Sequence, residues 1–267
     1  MLTAYLDGGR GEPIVFVHGS GVGGSGQLAW GAVAKEMATT HRVIAPDLLW
    51  SGWSDIPSLP YSLEAQVDQV VGLLDVLDIE RCALVGQSMG AYVAARCACD
   101  YPERITHLCL VASNTVSLSM GLELPSTPGL AAKDALDGSR ERIRQLLSTL
   151  YYRKDLVTDD ELSEWVAIAE RPGMADARAS LSQYVREIGD NANRRQSFAL
   201  KGRLDQLTLP MALIWGRNDQ FASISLASQL RELVPFRLYR EIDMGGHGVF
   251  RDQPVEFSNA VREFLCV

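Results

Sequence analysis

Six short apolar runs recur along this 267-residue chain, at Ile14 to Val17, Arg42 to Ala45, Cys82 to Val85, Ile105 to Val111, Met211 to Trp215 and Arg237 to Ile242. Most lack the polar alternation of a strand with one wet face, so they must be covered on both sides. Helix-prone stretches near residues 26–39, 63–77, 89–99, 223–233 and 254–265 supply the cover. Such alternation predicts an α/β fold, a mostly parallel sheet between helical layers.

The alternation lapses between about Ser117 and Leu207, where the chain becomes polar and helical. Ile143, Leu146, Leu147, Leu150 and Tyr151 fall on one helical face, a second helix is expected over Asp159 to Glu170, and a third from Ala175 to Ile188. We therefore expect a core of residues 1–116 and 208–267 interrupted by a helical cap at 117–207.

In an open α/β sheet, chemistry sits beyond the carboxyl ends of the strands. Four loops that follow strands carry unusual residues: His18-Gly19-Ser20-Gly21, Gly86-Gln87-Ser88-Met89-Gly90, Gly216-Arg217-Asn218-Asp219 and Asp243-Met244-Gly245-Gly246-His247. Gly-x-Ser-x-Gly between a strand and a helix is a nucleophile elbow, a turn tight enough to hold the serine oxygen in the open. A hydroxyl is a weak nucleophile at neutral pH, so Ser88 needs a general base, and the base needs a carboxylate to orient it.

Four histidines are present. His41 and His107 lie near the starts of their strands, remote from Ser88, and His18 is read as a buried structural histidine. His247 is left as the base, and Asp219, also after a strand, is the acid. The backbone amides of Ser20 and Met89 are the candidate donors to an oxyanion. Trp50, Trp53, Met89, Met120, Trp165 and Phe250 are expected to give the pocket an apolar lining, with Gly21 and Gln87 also in contact with substrate.

Other classes are disfavoured. A formal net charge of -8 opposes binding to nucleic acid. No apolar run reaches the roughly 20 residues of a membrane span, and the first residues lack signal-peptide character. Five cysteines, none in a Cys-x-x-Cys pair, fit a reducing compartment. The expectation is a cytoplasmic protein acting on a small molecule, with no cofactor and no metal, and with a homodimer left open.

Beyond these motifs, Pro46 to Asp55, Trp215 to Asp219 and Asp155 to Leu162 carry a wider likeness. Over essentially its whole length the chain resembles the α/β-hydrolase family, and more narrowly the meta-cleavage product hydrolases, which split a carbon-carbon bond in ring-opened aromatic dienoates. Three positions depart from the narrower pattern. Gln87 stands where asparagine is usual, Gly248 follows the base in place of tryptophan, and Glu164 occupies the place of an arginine used on the dienoate. An acid there would repel a substrate carboxylate. The sequence is accordingly read as a serine hydrolase of a small, largely apolar carboxylic ester or lactone, working through an acyl-enzyme. Carbon-carbon cleavage of a vinylogous diketone is the alternative, and a non-hydrolytic lyase or receptor the alternative from another class.

Overall fold

The computed structural model describes residues 1–19 and 24–266. Among these the strands are β1 (Tyr5–Gly8), β2 (Pro13–Val17), β3 (Arg42–Pro46), β4 (Cys82–Gln87), β5 (Ile105–Val111), β6 (Met211–Gly216) and β7 (Leu238–Ile242). They form one sheet in the order β1-β3-β2-β4-β5-β6-β7, with β1 antiparallel to β3 and the other neighbours parallel. The helices are α1 (Gly26–Met37), α2 (Leu63–Val76), α3 (Met89–Asp100), α4 (Asn114–Ser119), α5 (Pro128–Asp134), α6 (Arg140–Leu150), α7 (Asp159–Ala169), α8 (Met174–Asp190), α9 (Ala192–Phe198), α10 (Ser225–Leu233), α11 (Val249–Asp252) and α12 (Pro254–Leu265). Among the described residues, no helix is long and apolar enough to cross a membrane.

The six expected strands are all present, each within a residue or two of its expected bounds. The additional strand β1 is four residues long and no residue in it is fully buried, so it leaves no apolar run to read. It holds the sheet edge by main-chain pairing, Tyr5 opposite Pro46 through Gly8 opposite Val43.

Register sets the working edge. Val17 lies opposite Gly86, Gln87 opposite Val111, Val111 opposite Ile214, and Gly216 opposite Ile242. Strands β2, β4, β5, β6 and β7 therefore end nearly level, and the loops that leave them emerge side by side. Helix α3 packs on β4 and β5, and α1 packs on β3 and α12.

An aromatic group fixes one side of the core. Trp30 lies 5.0 Å from Phe16, 4.1 Å from Phe250 and 5.9 Å from Phe257, measured between ring centroids. Such contacts add roughly 0.5–1.5 kcal/mol each beyond area burial.

Between β5 and β6 the chain makes α4 to α9. Helix α4, which spans the expected boundary at 116, packs on α3 and α10. The succession α5, α6, α7, α8, α9 then packs neighbour on neighbour. Of these, α6, α7 and α8 follow the apolar periodicity of the sequence; α5 and α9, seven residues each, are too short to show it.

Candidate active site

Ser88 sits between the end of β4 and the first residue of α3 with φ 54° and ψ -120°, a backbone conformation that side-chain-bearing residues rarely adopt. Holding it there costs about 1–3 kcal/mol, which the surrounding structure must impose. The imposition is visible. A side chain on Gly86 would strike Ala91 Cα at 2.7 Å, and one on Gly90 would strike the His18 carbonyl carbon at 2.8 Å. The Ser88 N–H donates to the Val111 carbonyl at 2.9 Å, and the Ser113 hydroxyl donates to the Ser88 carbonyl at 2.5 Å. The elbow is thus tied to β5 on one flank and packed against the β2 loop on the other.

His247 and Asp219 meet as donor and acceptor, with 2.9 Å between His247 Nδ1 and Asp219 Oδ2. Their side chains are 5 % and 0 % exposed. The other oxygen of Asp219 accepts from the N–H groups of Phe221 at 2.7 Å and Ala222 at 2.8 Å. This fixes the carboxylate so that Oδ2 points at the imidazole. Phe221 in turn stacks on the His247 ring with centroids 4.6 Å apart, and its carbonyl accepts from Asn114 Nδ2 at 3.0 Å. Asn114, the first residue of α4, thus supports the turn that holds Asp219.

Ser88 and His247 line one cavity, in which about 100 Å³ is open to the centre of a water molecule. The core contributes His18, Gly19, Gln87, Phe221 and Phe250; the insertion contributes Lys133, Leu146, Tyr151 and Trp165, among others. Gln87 reaches across the site, its Nε2 donating to the His247 carbonyl at 3.4 Å. His18 is buried, with Nδ1 2.7 Å from the Gly19 carbonyl and Nε2 accepting from the Leu48 N–H at 2.9 Å. Those partners require a neutral ring, and burial lowers its pKa from the ordinary value.

Several expected lining residues lie elsewhere. Trp50 is buried away from this cavity, beside Tyr61 in a separate crevice. Trp53 is 53 % exposed, with the Arg171 guanidinium 5.6 Å from its ring centroid. Met120 is buried outside the lining, and the Met89 side chain turns to the Tyr61 hydroxyl, which lies 2.9 Å from its sulfur. Trp165 and Phe250 are in the lining. Ser20 and Gly21 lie outside the described residues. Glu164 is not among the lining residues either.

The departure at Gly248 has a local cause. A side chain there would strike the Tyr151 ring at 2.6 and 2.8 Å, so the tyrosine of the insertion fills the space a larger residue would take. The Tyr151 hydroxyl donates to Glu161 Oε1 at 3.0 Å, and the Glu161 carboxylate is paired with Arg251 at 2.9 Å. Tyr151, Leu146 and Leu150 fall on the apolar helical face visible in the sequence; Phe221 and Lys133 carry no such signal.

The sequence of residues 12–254 matches the family model described as the alpha/beta hydrolase fold. The chain belongs to this family. Curated relatives narrow its company. This hydrolase is 31% identical to a 2-hydroxymuconate semialdehyde hydrolase from Pseudomonas sp. strain CF600, over 99% of its own chain and 90% of the relative. It is 28% identical to a 2-hydroxy-6-oxo-2,4-heptadienoate hydrolase from Pseudomonas putida, over 99% of its own chain and 92% of the relative. Among solved structures, the meta-cleavage product hydrolase CumD from Pseudomonas fluorescens IP01 superposes on this hydrolase with a TM-score of 0.83 at 29% identity, covering 98% of this chain and 93% of that one.

Proposed function

We propose that this hydrolase cleaves a carbon-carbon bond in a ring-opened aromatic dienoate, a vinylogous diketone of the meta-cleavage type. The observation that carries the reading is similarity along nearly the whole chain to relatives named for that reaction. It displaces the ester or lactone reading, which rested on the three departures. One of these, Gly248, is compensated by Tyr151, and another, Glu164, stands outside the cavity lining. Relatives named as hydrolases also weigh against a lyase or receptor.

In this reading Ser88 Oγ attacks the ketone carbonyl and its proton passes to His247, whose charge Asp219 stabilises. The amide of Met89, at the start of α3, holds the oxyanion. Collapse of the adduct breaks the bond to the neighbouring carbon, whose electron pair is spread over the conjugated ketone and finally takes the proton held by His247. Water, deprotonated by His247, then releases the acyl group from Ser88 as a carboxylic acid. A carbon leaving group needs that conjugated sink, whereas an ester does not. Helices α5 to α9 act as a cap that selects the substrate and keeps bulk water out.

The test compares loss of the dienone chromophore of 2-hydroxy-6-oxo-2,4-heptadienoate, named in one relative, with release of p-nitrophenol from a short acyl ester. The dienone is expected to have the higher kcat/KM, and Ser88→Ala to lower kcat by about 10⁴-fold or more. Ester turnover without bleaching of the dienone would return the assignment to an esterase.

A further inference from the structure

The chamber beside Ser88 holds two hydrogen-bond donors that acyl transfer does not use. Lys133, on α5, lines it in the company of Leu136, Leu146, Leu150 and Leu181. Among the described residues its ammonium has neither a hydrogen-bond acceptor nor an ion-pair partner. Lys133 is half-buried, and desolvation by the apolar side chains around it lowers its pKa from the ordinary lysine value, an effect that the neighbouring Asp134 partly opposes. Trp165, 6 % exposed, lines the same chamber, and its indole N–H is buried with no partner among the described residues.

A half-buried cation without a counter-charge is unfavourable, and a buried N–H without an acceptor is costly. Both costs are removed if a bound molecule brings an anionic oxygen group. A carboxylate suits them, since it accepts several hydrogen bonds and those from a cation are the strongest. The surrounding leucines lower the local dielectric and so strengthen the pairing.

We infer that Lys133 binds a carboxylate carried by the substrate, with the Trp165 N–H as a second donor, so that the chamber selects acyl compounds with an anionic end over wholly apolar ones. The inference rests on the proposed carbonyl chemistry in that the substrate carboxylate is placed relative to Ser88. It does not depend on which bond breaks. It also replaces the expectation of an apolar substrate: the charge at the site comes from α5, a helix too short to show an apolar period.

Binding separates the inference from the reaction. In a Ser88→Ala background, calorimetry measures the affinity for sorbate, a six-carbon dienoate, and for its neutral amide. Sorbate is expected to bind more tightly. The preference should fall about 10- to 100-fold with Lys133→Met and survive in Lys133→Arg. Trp165→Phe, which keeps the ring and removes the donor, should lower sorbate affinity about 3- to 10-fold. As pH rises through the lowered lysine pKa the preference should fade, whereas in Lys133→Arg it should persist. Equal affinity for acid and amide, or a preference that survives Lys133→Met, overturns the inference. Failure to bleach the dienone in the unmodified enzyme overturns the carbon-carbon reading and leaves the binding result standing.

Discussion

His18 shows how a single side chain couples the site to pH. Its ring accepts the Leu48 N–H at Nε2 and faces the Gly19 carbonyl at Nδ1, an arrangement that only the neutral form satisfies. Burial lowers its pKa below 6.5, against the opposing pull of Asp47. Between that lowered value and about 6.5 the unfolded chain binds a proton that the native protein refuses, so this contribution to stability is complete above 6.5 and is lost as pH falls. Urea titrations from pH 7.5 to 5 should show the native protein weakening toward acid, and His18→Asn, less stable throughout, should weaken less steeply. Parallel declines would mean that other groups take up the proton. At this scale the placement of Ser88, Asp219 and His247 was legible because glycines and loop positions mark it: each of the three follows a strand. Lys133 was not legible, because a lysine on a short helix is ordinary until the fold turns it toward a cavity. Trp50 and Trp53 misled for the converse reason, since an aromatic side chain near a motif packs wherever apolar surface is available.

Among the elements, the loop from β7 to α11 carries His247, the proposed base, and one carboxylate holds that loop. Asp252, 2 % exposed, accepts from the N–H groups of Gly246 at 2.7 Å, Tyr152 at 3.0 Å and Arg153 at 2.9 Å. Gly248 N–H donates to the Leu150 carbonyl at 2.9 Å, a second tie between the base loop and the end of α6. Removing the carboxylate strands three donors, each worth about 1–3 kcal/mol when left unmet. Asp252→Ala should therefore cost about 3 kcal/mol or more by denaturant unfolding. It should also lower kcat more than it raises KM, because the imidazole loses its fixed position. Asp252→Asn, which keeps one acceptor, should fall between; a variant with unaltered kcat would show that the loop holds itself. The strands were legible because buried parallel strands are uniformly apolar, and α1 and α2 because their apolar residues share a face. Helix α11 has four residues, below any period that sequence can display.

For the molecule as a whole, the insertion and the core are joined by a buried charge pair. Arg251 of α11 holds Glu161 of α7 at 2.9 Å, lies 5.4 Å from the Tyr151 ring centroid, and donates to the Leu28 carbonyl of α1. Breaking such a pair from one side costs about 3–5 kcal/mol, since the abandoned charge stays buried. Arg251→Met should accordingly lower the unfolding free energy by about 3 kcal/mol. It should also speed amide exchange across α7 before exchange rises in β4 and β5; uniform acceleration would mean that the pair does not join the two parts. That helices stand between β5 and β6 was readable from the lapse in strands. The packing of α4 on α3 was not, because six residues are too few to show which neighbour they face.

The meeting of Tyr151 with Gly248 bears on attempts to graft specificity between relatives. The ring and the bare backbone beneath it come from two chain segments almost a hundred residues apart. A chimera that imports a foreign helical segment without the matching base loop would leave either a hole or a collision beside the imidazole. Successful exchange therefore requires both partners to travel together.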